Sequence, residues 1–219
     1  MMHVTTTPND FLAKSSKKQK LPLGKEQVAV LLHFCFCNAR DLFDEARLLQ
    51  RHKKYARAFY LYATALEELS KIPIALNGLF LPPDDTKAWE GFWKAFNSHT
   101  YKQGVARLYG QRFIKMLDKK RYDQFYKERI PRGLPLNEMK LASLYVDCYD
   151  GHPLRPNKLF GATGSVASIH HIVENRIKGF AGLHSTIDKS IRFVEESLKH
   201  SIQIDGEDAA QVLAQHFRK

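Results

Sequence analysis

The segment from Phe92 to Lys102 combines an aromatic stripe with side chains that can move protons and bind anions. We expect one helix through this segment, on which His99 follows Phe92 by one heptad and lies at the edge of the buried face. Lys102, three residues further, shares that face. An imidazole transfers protons near neutral pH, and a neighbouring ammonium can hold a phosphate. The pair is therefore a candidate catalytic site, although a lone histidine in such a place is more often a packed core residue.

A second candidate group lies in the preceding helix, where Glu67 and Glu68 stand among small and apolar residues. Helical spacing places Arg57, Glu68 and Lys71 on one face, and it pairs Glu67 with Lys71 at i,i+4. A solvated helix face is the ordinary explanation, because exposed ion pairs contribute only about 0–1 kcal/mol. The apolar neighbours favour the alternative, which is a partly buried acid.

A third polar group contains His170, His171 and Glu174. Their side chains are of types that bind metal ions, but they are too few to form a recognisable metal site. His170 and Glu174 at i,i+4 could bind one ion from a single helix face. Neither a His-Glu-x-x-His motif nor a further ligand at a recognisable spacing accompanies them. We therefore expect no metal and no cofactor, and the role of these three residues stays open.

We expect helices to carry all three of these polar groups. Apolar residues at heptad spacing predict one helix from Lys25 to about Arg51 and another from Tyr55 to Leu76, separated by the polar residues 52–54. Such a short polar turn predicts an antiparallel helical hairpin. Asp84 or Asp85 can cap the third helix, which carries the aromatic stripe.

The second half of the sequence adds a basic stretch and further helices. Residues 115–132 are rich in cations and are the best candidate basic patch, whereas residues 142–147 could form one short extended piece. Apolar spacing predicts a fifth helix that ends near Gly179. Ser185 and Asp188 have the spacing of a capping box for a sixth. The pattern predicts an all-α antiparallel bundle of about six to seven helices, with minimal sheet.

Composition sets the broad class of the protein. The 219 residues include 34 Lys and Arg against 23 Asp and Glu, a net charge of +11 that favours a polyanionic partner such as nucleic acid. The apolar stretches are shorter than the roughly 20 residues of a membrane span, and no secretory signal is recognisable, so we expect a cytoplasmic protein without a membrane partner. Residues 1–23 predict a flexible basic arm, and residues 24–219 a single helical domain.

Three blocks of the chain occur in a recognisable order. They are Arg57 to Lys71 with Glu-Glu-x-x-Lys, Phe92 to Lys102 with Phe-Trp-x-x-Phe-x-Ser-His-x-x-Lys, and Leu144 to Asp147. Together they resemble the AbiV-type abortive infection proteins of bacteria, which belong to the HEPN superfamily. The resemblance covers about residues 28 to 160 and leaves the remainder of the chain unassigned.

This resemblance implies a helical bundle of HEPN type, usually dimeric. Many members of the superfamily are metal-independent ribonucleases that act in phage defence or as toxins. In those enzymes an Arg, and a His four to six residues later, act at the dimer interface and promote attack of the ribose 2′-hydroxyl on the adjacent phosphate. RNA is then the substrate, a second copy completes the site, and a phage-encoded activator or inhibitor protein is a further partner.

Residue by residue, the resemblance makes His99 the group that moves the proton, with Lys94 and Lys102 as the catalytic cations. Glu67 or Glu68 would orient these cations. The RNA or its phosphates would be bound by Asn97, Lys71 and Arg57.

The chain departs from the superfamily motif at one position. Lys94 stands five residues before His99, where the motif has Arg, and a lysine lacks the planar fork of a guanidinium. The literal match to the motif is Arg47 with His52, at the predicted hairpin turn, and we rank that pair second. The alternative to an endoribonuclease is a non-catalytic helical binding or dimerisation module that engages a phage or regulatory protein.

Overall fold

The computed structural model describes residues 22–99, 101–103, 105, 136–149, 152–162, 164–183 and 186–205. The elements with defined bounds are α1 Lys25–Arg51, α2 Tyr55–Gly78, α3 Thr86–Asn97, α4 Leu136–Ala142, β1 Asp147–Tyr149, β2 His152–Leu154, α5 Pro156–Leu159, α6 Ser165–Gly179, a 3-10 turn Ala181–Leu183 and α7 Ile187–Asp205. The all-α prediction is confirmed, with β1 and β2 as a small antiparallel addition. The cation-rich stretch 115–132 and nearly all of the predicted arm lie outside the described residues.

The helical hairpin of α1 and α2 is the frame of the molecule, and its prediction is confirmed. Its tight turn is closed by backbone hydrogen bonds from His52 to Leu48 at 3.1 Å and from Lys54 to Leu49 at 2.9 Å. Lys53, at the apex, has a φ of 59°, a left-handed conformation that is uncommon outside glycine. The short turn forces α2 to return along α1.

The core forms where α3 and α6 pack against this hairpin. One side chain from each of these helices is at most 2% exposed: Phe36 of α1, Phe59 of α2, Phe92 of α3 and Val166 of α6. Each such side chain contributes about 1.5–3 kcal/mol through removal of apolar surface from water. Gly78 ends α2 where the Phe92 ring passes so closely that an added Cβ would lie 3.0 Å from it. The core thereby fixes the relative positions of α2 and α3.

The predicted single helix from Phe92 to Lys102 is wrong, because α3 ends at Asn97. Ser98 has an extended backbone, with φ −72° and ψ 122°, and residues 99, 101–103 and 105 are helical again beyond it. The Ser98 hydroxyl accepts a hydrogen bond from the Tyr101 amide at 3.2 Å, as an N-cap does. A serine therefore both ends one helix and starts the next, and the chain changes direction just before His99.

Other boundaries refine the predictions. Asp85 caps α3 by accepting from the Ala88 amide at 3.1 Å. The predicted extended piece at 142–147 is largely wrong, because its first residue closes α4 and only its last begins β1. The sixth predicted helix, α7, begins at Ile187, and the Thr186 hydroxyl accepts a hydrogen bond from the Lys189 amide in its first turn. Ser185, the predicted capping residue, lies outside the described residues. Among the described helices, none has the length and hydropathy that a membrane crossing requires.

Candidate active site

Glu67 lies in the middle of α2 and is the centre of a buried polar cluster. Its side chain is only 3% exposed. One carboxylate oxygen, Oε2, accepts a hydrogen bond from His99 Nδ1 at 2.7 Å. The other, Oε1, accepts from Lys140 Nζ at 2.8 Å and from Gln103 Nε2 at 3.2 Å. The sequence-predicted buried acid is therefore joined to the sequence-predicted histidine.

The charge of Glu67 is maintained by these three donors. Burial by itself raises the pKa of a carboxyl group. The hydrogen bonds from Lys140, His99 and Gln103 outweigh that effect and lower the pKa of Glu67 below its ordinary value. Lys140 is almost as buried as its partner, at 7% exposure, so the ion pair is shielded from solvent. Glu67 is consequently a fixed negative charge at neutral pH.

This charge determines which nitrogen of His99 is available for chemistry. A carboxylate only accepts hydrogen bonds, so the Nδ1 atom that contacts Glu67 carries a hydrogen. In the neutral ring Nε2 then has the free lone pair and can take a proton from a substrate. The His99 side chain is 61% exposed although its acidic partner is buried. The break at Ser98 creates this arrangement, a solvent-facing imidazole anchored on a buried acid.

A second ion pair lies one residue further along α2. Glu68 Oε1 is 2.6 Å from Lys71 Nζ, and the same ammonium lies 5.4 Å from the centre of the Phe96 ring. Both side chains are less than one fifth exposed. The predicted i,i+4 pair of Glu67 with Lys71 is thus wrong, because Lys71 pairs with Glu68 at i,i+3 while Lys140 and His99 occupy Glu67.

Lys102 brings a further cation to the same region and is 5% exposed. Burial lowers the pKa of its ammonium, and the neighbouring charge of Lys71 lowers it further, while Glu67 and Glu68 oppose the shift. Its charge is therefore held in a poorly solvated position, where attraction to an anion is stronger than in water. The charges of both acids therefore act on Lys102, while its orientation by Glu67 or Glu68 stays a prediction.

The remaining predicted residues lie outside this cluster. Lys94 and Asn97 are exposed on α3, and the Asn97 amide donates to the Trp93 carbonyl of its own helix at 2.8 Å. Arg57 is exposed in the first turn of α2. At a rise of about 1.5 Å per residue it stands roughly 15 Å along the axis from Glu67. The structure does not bring these three side chains into contact with Glu67.

The second-ranked pair, Arg47 and His52, lies at the turn end of the hairpin. Both side chains are exposed, and the guanidinium of Arg47 contacts Asp44 at 3.7 Å. The length of α2 from Tyr55 separates this end from Glu67. No acid anchors His52 within the described residues, so this pair lacks the geometry that His99 has.

The open question of His170 has a structural answer. Its Nδ1 lies 3.0 Å from the Tyr62 hydroxyl, which in turn donates to Gln50 at 2.6 Å. Burial lowers the pKa of His170, and the nearest oxygen of Glu174 is 4.0 Å from its Nε2. Among the described residues no group of three or more His, Cys, Asp and Glu is placed to hold a metal ion. His170 therefore joins α6 to the α1–α2 hairpin.

Sequence reasoning missed three members of the site. Gln103 follows His99 by four residues, so helical spacing could have found it. Lys140 is separated from Glu67 by 73 residues and had no local signal. Ser98 was read as part of a helix, although serine is among the best N-cap residues.

The comparison with known families concerns most of the chain. The AbiV model of the HEPN group matches residues 27–175, well over half of the chain, and this span contains Glu67, His99 and Lys140. No curated protein and no solved structure matches the chain. The resemblance seen in the three sequence blocks is confirmed. The chain belongs to the AbiV family of HEPN proteins.

Proposed function

We propose that this chain is a metal-independent endoribonuclease of bacterial phage defence, acting as an abortive infection toxin, with His99 as its proton-transfer group. The observation that carries the proposal is the 2.7 Å contact between His99 Nδ1 and the buried Glu67 carboxylate. This contact holds the imidazole in one tautomer with Nε2 open to a substrate. A buried acid that orients a histidine in this way is a recurrent device for general base catalysis.

The reaction needs no nucleophile from the protein, because RNA supplies its own. His99 Nε2 takes the proton of a ribose 2′-hydroxyl, the 2′-oxygen forms a bond to the adjacent phosphorus, and the bond from phosphorus to the 5′-oxygen breaks. The proton held by the His99 imidazolium then passes, through water, to the departing 5′-oxygen, and this returns the imidazole to its neutral form. The products are a 2′,3′-cyclic phosphate and a free 5′-hydroxyl. Glu67 stabilises the imidazolium that forms midway.

Phosphate binding belongs to the lysines around His99. Lys71 is paired with Glu68, the charge of Lys102 is coupled to both acids, and Lys94 is exposed on the helix that leads to His99. Negative charge that develops on the phosphate is stabilised by such preorganised cations. A homodimer would place the Lys94 face of one copy beside the site of the other and complete the set. Glu68 orients Lys71 through their 2.6 Å contact.

A non-catalytic binding module is the second candidate, and Lys94 is the observation that favours it. The superfamily motif has an arginine at this position, whose bidentate grip on a phosphate a lysine cannot reproduce. In that case the cluster around Glu67 would serve assembly or the recognition of a phage or regulatory protein.

The test is the rate of RNA cleavage by the purified wild type, His99→Ala and His171→Ala in EDTA. His171 is the matched control, because it is exposed to 57% against 61% for His99 and lies on α6. We expect His99→Ala to lose about 10²–10⁴-fold in turnover, while His171→Ala and the RNA affinity of both variants stay near wild type.

Equal activity of the His99→Ala variant and the wild type would remove His99 from the mechanism. RNA binding without cleavage by any variant, also after addition of phage-infected cell extract, would favour the binding module. The extract is included because an activator protein is part of the proposal.

A further inference from the structure

The turn end of the helical hairpin presents a cluster of exposed basic residues outside the cluster around Glu67. No Asp or Glu occurs between positions 47 and 57. Six exposed residues in this interval define what we call the basic turn: Arg47, Arg51, His52, Lys53, Lys54 and Arg57. Within the described chain the acid in contact with it is Asp44, which lies 3.7 Å from Arg47. Most of the positive charge of the basic turn is therefore available to an anion.

The basic turn is held on a rigid base. Gln50, one residue before Arg51, accepts the Tyr62 hydroxyl hydrogen bond at 2.6 Å, and His170 of α6 lies 3.2 Å from the same amide oxygen. The backbone of the turn is closed by hydrogen bonds from His52 and Lys54. The backbone that carries these cations is thus ordered before a ligand binds, so binding costs less backbone freedom than it would on a loose loop.

Helix α2 connects the basic turn to the candidate active site and sets their separation. Arg57 and Glu68 are eleven residues apart, which is close to three complete helical turns and places them on one face. The distance along the axis is roughly 16 Å, on the order of five nucleotide steps at about 3.4 Å each. A strand that is cut at His99 would therefore pass the basic turn a few nucleotides away.

We propose that the basic turn is a phosphate-binding surface for RNA that flanks the cleavage point and is separate from the catalytic cluster. The proposal rests on the proposed function in taking RNA as the substrate. Exposed cations on an ordered backbone, with no interspersed acid, match the repeated negative charge of a nucleic-acid backbone. The surface contributes affinity and register and takes no part in proton transfer.

The experiment compares two triple variants that change the net charge equally. Arg51→Glu, Lys54→Glu and Arg57→Glu reverse the basic turn, whereas Lys158→Glu, Lys189→Glu and Arg192→Glu reverse exposed cations on α5 and α7. Lys53 is left intact because its positive φ makes the turn sensitive to substitution. Circular dichroism checks that both variants keep the wild-type helix content.

Binding is measured by fluorescence anisotropy with a labelled single-stranded RNA of about 20 nucleotides whose 2′-hydroxyls are all methylated, so that it cannot be cleaved. We expect the basic-turn variant to lose at least tenfold in affinity near 0.15 M salt. Three lost phosphate contacts should also reduce the slope of log affinity against log salt by about 2, at roughly 0.7 per contact. The control variant should lose less than threefold.

An equal loss of affinity in the two variants would overturn the proposal, because net charge alone would then explain binding. Wild-type affinity in the basic-turn variant would overturn it as well. Selective loss of binding in a protein that cleaves no RNA would support the surface while contradicting the ribonuclease. Normal RNA cleavage with unchanged RNA affinity in the basic-turn variant would support the ribonuclease and contradict the binding surface. The two proposals can therefore fail independently.

Discussion

Two buried polar clusters lie on helix α2, and they solve the same physical problem in different ways. The Tyr62 side chain is 0% exposed, and that of Glu67, on the same helix, is 3% exposed. Around Tyr62 the partners, Gln50 and His170, form a neutral hydrogen-bonded group. Around Glu67 the partners include the buried Lys140, and the group is charged. Burial of polar atoms is tolerated in both places because each has its partners.

The clusters differ in what they leave open to solvent. His170, in the neutral cluster, is 22% exposed, whereas His99, in the charged cluster, is 61% exposed. A histidine that is packed and neutral serves to join helices. One that faces solvent while an ionised acid holds its other nitrogen is arranged for proton transfer. A candidate catalytic histidine is thus distinguished from a structural one by its solvent exposure and by the ionised acid that accepts its hydrogen bond. Its position in a helical stripe is less informative.

The largest expected effect comes from removing the charge of the acid. Glu67→Gln should lower the free energy of unfolding by about 3 kcal/mol or more, because Lys140 is left as a buried cation without a counter-charge. Glu68→Gln is the matched control and should cost about 1 kcal/mol, since its partner Lys71 can reach solvent more easily. Urea unfolding measures both. Equal losses would mean that Lys140 is not the reason for the cost.

A smaller loss should follow from breaking the neutral cluster. Tyr62→Phe removes the hydroxyl that joins Gln50 to His170 and should cost about 1–2 kcal/mol, because two polar groups lose a partner without leaving a charge. Tyr55→Phe, at the start of α2, should change the stability by less than about 0.5 kcal/mol. If Tyr62→Phe lowered the free energy of unfolding as much as Glu67→Gln, the buried charge would not be what distinguishes the two clusters.

The two clusters should also respond to acid in different ranges of pH. The pKa of His170 is lowered from its ordinary 6.5, so the stability gained from its neutral form is present above pH 6.5 and is lost as the pH falls through the folded-state value. The pKa of Glu67 is lowered from 4.5, so its contribution is present above pH 4.5 and is lost only below it. Unfolding free energies between pH 7.5 and 3.5 should show the two losses in this order.

Variants assign each loss to its residue. His170→Gln should flatten the decline below pH 6.5 and leave the decline below pH 4.5 in place. If His170→Gln still lost the full amount of unfolding free energy below pH 6.5, that loss would belong to another histidine.

The smallest effect is expected at the edge of the charged cluster. Gln103→Met removes one neutral donor from Glu67 and should cost about 0.5–1 kcal/mol, because Lys140 and His99 still compensate the carboxylate. The measurement is the same urea titration. A loss near that of Glu67→Gln would show that the amide, more than the ion pair, stabilises the buried acid.

Much of the fold could be predicted from local patterns. Heptad spacing gave the hairpin of α1 and α2, and the cap at Asp85 could be anticipated from residue type, because both depend on neighbours a few positions away. The continuity of α3 through Ser98 could not be judged correctly by apolar spacing, since the aromatic stripe suggests a longer helix than the backbone forms. A local hydrogen bond of the serine competes with the helix there.

The candidate site was predictable only in part, for a related reason. Glu67 and His99 could each be identified as candidates, but the contact between them joins residues 32 positions apart. The contact between Lys140 and Glu67 joins residues 73 positions apart. No helical periodicity carries such information. The resemblance to AbiV proteins placed the acid and the histidine in one site, whereas the role of Lys140 needed the packing of α4 on α2.

The chemical nature of the cleaved RNA ends shows directly whether the ribose 2′-hydroxyl is the attacking group. RNA carrying one cleavable linkage is incubated with the wild-type protein in EDTA, and the fragments are identified by mass spectrometry, beside a substrate whose 2′-hydroxyl at that linkage is replaced by hydrogen. We expect a 2′,3′-cyclic phosphate and a 5′-hydroxyl from the first substrate and no cleavage of the second. Fragments with a 5′-phosphate, or equal cleavage of the deoxy substrate, would contradict a 2′-hydroxyl attack assisted by His99.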